Sequence, residues 1–307
     1  MGIAVSIQSV LSLFFLVITG FVVAKKKLVT EKFSHDLSQF LFYVSIPCTM
    51  IHSIAQKFSG DTMRDSIKML VYGTLFVLIG AIVAKLLSGL FGEKDIKKRT
   101  VYEFTLTIPN YGFMGWPICQ TFFGDEGLFF SSVFGMPMNV LFYIYGQFVF
   151  GRIQGTKGSF QIKSFLNPPV LGTFAGIVLF LTGIELPSAL DKSIELLGNT
   201  TTPLSMAVAG MMLATCPIGA VLKEKRVFFY SLLRLLILPL LILVVLKMLG
   251  ESGMMLAIPV TVAAMPAPAN VTVLTEKYGG DSVLGAQLIF VSTLLSVITI
   301  PVIMAFL

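Results

Sequence analysis

Charge is scarce in this chain. Asp, Glu, Lys and Arg make up 12% of its 307 residues, against about 25% in a water-soluble domain. So little polar surface cannot coat a soluble fold of this length. Histidine is almost absent, with only His35 and His52, both flanking one apolar run. The three cysteines, Cys48, Cys119 and Cys216, lie in or beside apolar segments. Their spacing fits neither a metal site nor a disulfide framework, and they read as small buried hydrophobes. There is no His-Glu metal spacing, no nucleophile elbow and no phosphate loop. These absences exclude an enzyme, a bound metal and a bound cofactor from the expectations. The net charge of +6 is no nucleic-acid signal either, because the basic residues sit in short loops without interleaved aromatics.

What is abundant is apolar surface, 55% of residues, with a mean hydropathy of +0.89. A membrane crossing needs about 20 mostly apolar residues. Ten such runs are legible, at about 5–24, 34–55, 69–91, 100–122, 127–150, 165–183, 194–215, 227–248, 253–275 and 283–306. Spans 4, 7 and 9 are weak because Pro, Gly, Asn and Thr interrupt them. The first run has no basic flank before it and is followed by Lys25, Lys26 and Lys27. It reads as a retained helix with its N-terminus outside rather than as a cleaved leader. Cytoplasmic loops should hold the Lys/Arg excess. The loops after the odd-numbered spans hold 15 basic residues and those after the even-numbered spans hold 5. That bias predicts both termini outside, in the cell (plasma) membrane. Lys85 and Arg234 fall within spans. Both are expected to snorkel to the cytoplasmic face, pairing inside the bundle being the alternative for Arg234.

The chain repeats itself. Ser45-Ile46-Pro47-Cys48-Thr49-Met50 in span 2 matches Thr201-Thr202-Pro203-Leu204-Ser205-Met206 in span 7 at an offset of 156. Phe123-Gly124-Asp125-Glu126 matches Tyr278-Gly279-Gly280-Asp281 at 155. The offset pairs spans 1–5 (residues 1–150) with spans 6–10 (residues 165–307) across a cytoplasmic linker at 151–164. Five spans is an odd number, so the second half enters from the opposite side, as in many secondary transporters.

Two of the weak spans break at midpoint. Span 4 reads Thr107-Ile108-Pro109-Asn110-Tyr111-Gly112-Phe113-Met114-Gly115-Trp116-Pro117, and span 9 reads Ala264-Met265-Pro266-Ala267-Pro268-Ala269-Asn270-Val271-Thr272. Proline in a helix interior costs about 3 kcal/mol, and freed backbone groups in hydrocarbon must find partners. A single proline is a common kink. Two breaks in equivalent spans of two halves, each bearing an asparagine, mark a site. Half-helix N-termini carry about half a positive charge each and unpaired N–H donors, so they hold an anion without a buried Arg or Lys. No Asp or Glu lies near the middle of a span, Glu103 being about one turn into span 4 near the cytoplasmic surface. That counts against a proton antiporter, which needs a titratable group in the path.

These residues resemble the auxin efflux carrier family. The resemblance is carried by Pro109 to Pro117, Phe123 to Gly127, Thr202-Pro203-Leu204, Pro266 to Asn270, and Tyr278 to Asp281. It covers essentially the whole chain and includes the plant PIN exporters and bacterial malate and malonate permeases. It implies an all-α membrane protein with ten transmembrane helices in a 5+5 inverted repeat. The fold would be of the bile-acid-transporter and NhaA type, with spans 4 and 9 crossed and broken at Pro109, Pro266 and Pro268. Spans 1, 2, 6 and 7 would form a scaffold and spans 3–5 and 8–10 a moving transport domain. The substrate-binding set it implies is Asn110, Asn270, Tyr111, Gly112, Val271, Thr49, Ser205 and Asn139. A homodimer through the scaffold and elevator-like alternating access are also implied. The hydrophilic insert of long plant PINs is missing, so a PIN-like bacterial member is the closer likeness.

The expected function is secondary transport of small organic anions, mono- or dicarboxylates or auxin-like acids, with membrane lipid as the other partner. A cation/proton antiporter of the same fold and a non-transporting membrane receptor are the alternatives. Coupling stays open between a proton, sodium and neither, with Thr200–Thr202 and Thr272–Thr275 as candidate sodium oxygens. Gly172-x-x-x-Gly176 in span 6 reads as intrachain packing before a dimer seam.

Overall fold

The computed structural model describes residues 3–55, 60–92, 95–155, 168–214, 224–268 and 271–307. Among these residues the chain is helical, with no strand. Helix α1 spans Ile3–Lys25 and ends on a basic residue, which suits the negative end of its dipole. Helix α2, Glu31–Phe40, starts where the Thr30 hydroxyl accepts a hydrogen bond from the Phe33 N–H. A wide π-type turn, Leu41–Ser45, carries it without a break into α3, Ile46–Ile54, just ahead of Pro47, whose missing N–H the widened turn accommodates. Helix α4 is Gly60–Gly92, and α5 is Ile96–Thr107, capped by the Asp95 carboxylate on the Lys97 N–H.

A second π-type turn, Tyr111–Gly115, leads into α6, Trp116–Gly151, which is interrupted at Gly124, φ 68° and ψ −159°. Then come α7, Pro168–Thr182, α8, Ser188–Asn199, and α9, Thr201–Ala214. Helix α10, Lys225–Leu232, passes through a third π-type turn, Leu233–Ile237, into α11, Leu238–Met248. The chain closes with α12, Gly253–Ala263, α13, Val271–Tyr278, and α14, Ser282–Met304.

Among the described residues, five helical runs are long and apolar enough to cross a membrane: Lys32–Ile54, Met63–Phe91, Ile96–Gln154, Lys225–Met248 and Ser282–Met304. The third has 59 residues. At 1.5 Å per residue that is about 90 Å, some three times a hydrocarbon core of about 30 Å. The breaks at Pro109 and Gly124 fold it back. Along α4, Leu75, Ile79, Ile82, Leu86 and Leu90 form an exposed apolar stripe, while Met69, Val77, Ala84 and Phe91 are buried on the other face. An all-round apolar helix of this kind suits lipid on one side and protein on the other.

The helices approach closely where glycine permits it. A Cβ on Gly20 in α1 would strike the Ala207 carbonyl of α9, and one on Gly210 of α9 would strike that of Val17. Gly172 and Gly176 of α7 face Pro47 and Ile54 of α3, so the Gly172-x-x-x-Gly176 seam lies within the chain.

Two expectations need correction. Span 7 was placed at 194–215, but the helix breaks at Thr200. Residues 188–199 form a separate, largely exposed amphipathic helix, and the apolar helix begins at Thr201, with Pro203 in its opening turn. Arg234 does not snorkel. It is 1% exposed and donates from Nη1 to the Leu106 carbonyl at 2.8 Å. Proline at 109 has no N–H for the carbonyl four residues back, and the Asn110 N–H turns elsewhere, so the end of α5 has carbonyls to spare. Cys119 is buried and free as expected, Cys48 is half-buried, and Cys216 lies outside the described residues.

Candidate functional site

The two breaks meet. Helix α5 ends at Thr107, Ile108 is extended, and the Asn110 N–H donates to the Pro266 carbonyl at 2.9 Å. The Asn110 carbonyl then accepts from Gly115 N–H at 3.0 Å and Met114 N–H at 3.3 Å, which opens the wide turn Tyr111–Gly115. On the other side α12 ends at Ala263, and the Ala267 N–H donates to Ser292 Oγ of α14 at 3.0 Å. The backbone groups that proline frees are thus satisfied inside protein, as hydrocarbon requires.

A cavity of about 50 Å³ sits against this junction. Its wall includes Pro109, Asn110, Tyr111, Gly112, Asn139 and Pro268. One ordered water needs about 10–15 Å³ of such space, so the cavity holds a few waters or one small carboxylate. Its polar side chains are neutral. The Tyr111 hydroxyl donates to Asn139 Oδ1 at 2.9 Å, which leaves the Asn139 amide N–H groups to face a ligand. The Asn110 side chain is 5% exposed and makes no hydrogen bond to another described residue. Trp116 also lines the cavity, and its buried indole N–H has no partner among the described residues. The first-turn N–H groups after Asn110 lack intrahelical acceptors by position.

Six of the residues read from sequence therefore gather here: Pro109, Asn110, Tyr111, Gly112, Asn139 and Pro268. Pro266 is beside them through its carbonyl. Asn270 lies outside the described residues. Val271 is fully buried at the start of α13 and does not border the cavity. Thr49 and Ser205 are elsewhere. The Thr49 hydroxyl contacts Thr201 Oγ1 at 2.7 Å and the Gly198 carbonyl at 2.9 Å, and Ser205 Oγ donates to the Thr202 carbonyl. Ser45 Oγ is 3.0 Å from Thr200 Oγ1, so these hydroxyls tie α3 to α8 and α9 rather than facing a ligand. Phe42, Ile46, Phe113, Trp116, Phe142 and Pro169 complete the wall and were not read from sequence. The signal for Trp116 was present, because it is the single tryptophan of the chain, within the broken stretch.

Behind the break, Glu103 is buried and forms an ion pair with Arg152 at 2.9 Å. Tyr145 accepts from Thr107 Oγ1 at 3.0 Å and reaches Glu103 at 3.5 Å. Arg234 lines an apolar crevice of about 390 Å³ between α4 and α11, together with Leu106, Thr107 and Ala263.

Among the described residues, an all-helical bundle with lipid-suited faces is the fold of a multi-pass membrane protein. The chain belongs to the family described as Membrane transport protein, whose profile matches residues 5–157 and 152–304 and is that of the auxin efflux carriers its motifs resemble. An uncharacterised transporter of Methanocaldococcus jannaschii is 26% identical over 298 residues, 95% of each chain. A Rhizobium meliloti protein named "Putative malonate transporter" is 22% identical over 273 residues, 86% of this chain and 84% of that one. An uncharacterised transporter of Escherichia coli K12 is 20% identical over 309 residues, 96% of this chain and 95% of its own. The family and these relatives are membrane transporters, not enzymes.

Proposed function

We propose that this protein is a secondary transporter that carries small organic anions across the plasma membrane, holding the carboxylate at the junction of the two broken helices. The observation that carries the reading is the cavity at Asn110. Among the described residues its polar side chains are the neutral amides of Asn110 and Asn139, the second oriented by the Tyr111 hydroxyl, and its wall holds no charged side chain. Amide N–H groups in a wall without an acidic side chain stabilise an anion without the cost of a buried unpaired cation. The malonate in the name of the Rhizobium meliloti relative supports a carboxylate.

The architecture we propose is ten spans in two inverted halves, with both termini outside. Helices α5 and α12 end at Thr107 and Ala263, residues 156 apart, the same offset as the sequence repeat. Gly124 and Gly279, 155 apart, both take positive φ, 68° and 71°. These coincidences support a duplicated unit. Helices α1, α3, α7 and α9, joined by close glycine seams, would serve as scaffold together with α2 and α8, and α4–α6 with α10–α14 as a body that moves elevator-fashion.

Uptake into proteoliposomes tests the site. Asn110→Ala is expected to lower carboxylate uptake at least tenfold, about the loss for one donor to a charged group. Unchanged uptake in Asn110→Ala and in Asn139→Leu would sink the assignment.

A further inference from the structure

We infer that Arg234 fixes the charge of the substrate, so that the site takes its acid as a monoanion. This deepens the reading of the cavity as an organic-anion site and rests on it. Among the described residues the buried charged side chains are Glu103 and Arg234. Glu103 is neutralised by Arg152. Arg234 has no carboxylate partner. Its Nη1 holds the Leu106 carbonyl, and its Nε and Nη2 are buried without any partner. An uncompensated guanidinium in a membrane interior is costly enough to demand a role.

The charges at the junction add up to one. Four half-helix ends meet there, each carrying about half an elementary charge. The C-terminal ends, at Thr107 and Ala263, are negative, and both residues share the Arg234 crevice. The N-terminal ends, at Tyr111 and Val271, are positive. The four cancel. Arg234 leaves the empty junction about one positive charge in excess, which a monocarboxylate restores to zero. A dianion leaves the same low-dielectric region one charge negative, and a neutral amide leaves it one charge positive.

Arg234 need not touch the substrate to act. It binds Leu106, and Pro109 already lines the cavity, so at most roughly 10 Å of chain separates them. Adding the 2.8 Å bond from Arg234 to Leu106 puts the two charges roughly 10–15 Å apart, which at an effective dielectric of about 20 changes affinity on the order of tenfold. Arg234 is therefore a positioning and specificity residue, holding the end of α5 and supplying a fixed field behind the break.

The test uses the full chain in proteoliposomes, with propionate, propionamide and malonate as probes. With the native protein, propionate uptake is expected to be flat from about pH 6 to pH 8, because its charge is constant there. Malonate uptake is expected to follow its singly charged fraction, falling about tenfold per pH unit once the dianion dominates. Arg234→Gln is expected to raise KM for propionate about tenfold, with a smaller change in kcat, and to lower the preference for acid over amide by about the same factor. Arg234→Lys is expected to restore both. The pH series on native protein needs no variant, so a misfolded Arg234→Gln does not remove the test. Malonate uptake that rises with the dianion overturns the inference, as does a folded Arg234→Gln with native KM and native acid-to-amide ratio. Acid transport that depends on Asn110 and ignores Arg234 removes this inference alone. A native protein that moves none of the acids removes the underlying reading with it.

Discussion

Gly172→Ala puts the packing to a quantitative test. A Cβ built on Gly172 lies 2.7 Å from Pro47 Cα and 2.8 Å from the Pro47 carbonyl oxygen. Carbon atoms in good contact sit about 3.5–4.0 Å apart, so α7 must retreat by about 1 Å along its seam with α3. Pro47 cannot yield, because the atoms met are backbone. Overpacking of this kind costs about 1–3 kcal/mol. Alanine returns up to about 1 kcal/mol through helix propensity. The net expectation is a destabilisation of about 1–2 kcal/mol, close to tenfold in the unfolding equilibrium. Gly80 in α4 is the matched control. Its Cβ would meet nothing nearer than 3.8 Å. Gly80→Ala therefore keeps the propensity gain without the clash and is expected to stabilise slightly. Unfolding in mixed micelles with rising SDS measures both, read by the fluorescence of Trp116, the chain's one tryptophan, buried at 2% exposure. A Gly172→Ala protein as stable as native would refute the contact. A variant that loses a dimer while its monomer stays equally stable would move the seam between chains.

Three further outcomes are expected. Glu251, in the loop between α11 and α12, accepts from the Tyr72 hydroxyl at 2.5 Å and pairs with Lys68 at 3.2 Å, and these partners hold its carboxyl below the usual glutamate range. Its contribution is present above the unfolded value of about 4.3 and is lost as pH falls through the lower folded value. The stability gap between native protein and Glu251→Gln, about 1 kcal/mol at neutral pH, should close below about pH 4; a gap that persists at pH 3 contradicts it. For the buried pair, Arg152→Met strands Glu103, whose side chain is 3% exposed, whereas Glu103→Gln strands Arg152 at 30%. Arg152→Met should therefore cost about 3–5 kcal/mol and be the worse of the two, and the reverse order in chemical unfolding would contradict the burial. Thr49→Val should lower stability by about 1–2 kcal/mol through its lost bonds to Thr201 and Gly198. It should leave the KM for a carboxylate unchanged, and a raised KM would return Thr49 to the site.

The junction itself was legible because proline and glycine act locally. Pro109 and Pro266 remove backbone donors wherever they stand, and an offset shared by two motifs needs no coordinates to be seen. The helix ends at Thr107 and Ala263 fall where those prolines require. The cavity wall was legible only along the break. Tyr111 and Gly112 adjoin Asn110 in sequence, while Phe42, Phe142 and Pro169 arrive from distant stretches of the chain, and no periodicity announces them. Thr49 and Ser205 stand apart from this cavity for a related reason. A polar residue beside a proline in a membrane helix suggests a ligand, but here neighbouring hydroxyls and carbonyls satisfy each other across α3, α8 and α9. The start of α9 was misjudged because apolar residues in the amphipathic helix Ser188–Asn199 run on into the apolar span.

Arg234 shows why the remainder could not be read. A cation two turns into a span is expected to snorkel, because one helix alone offers it no acceptor. The acceptor is made elsewhere, 128 residues earlier, by the proline that ends α5. Each loose end at the breaks closes in the same long-range way: Asn110 on Pro266, Leu106 on Arg234, and Ala267 on Ser292. None of these bonds can form until α5, α10, α12 and α14 are assembled, so the breaks are stable only as a set. Removing one partner leaves a buried polar group unsatisfied, at about 1–3 kcal/mol or more where a charge is involved. That mutual dependence makes the broken helices and their neighbours one cooperative body. The seams of α1 with α9 and of α3 with α7 rest on close glycine contacts and share none of these bonds.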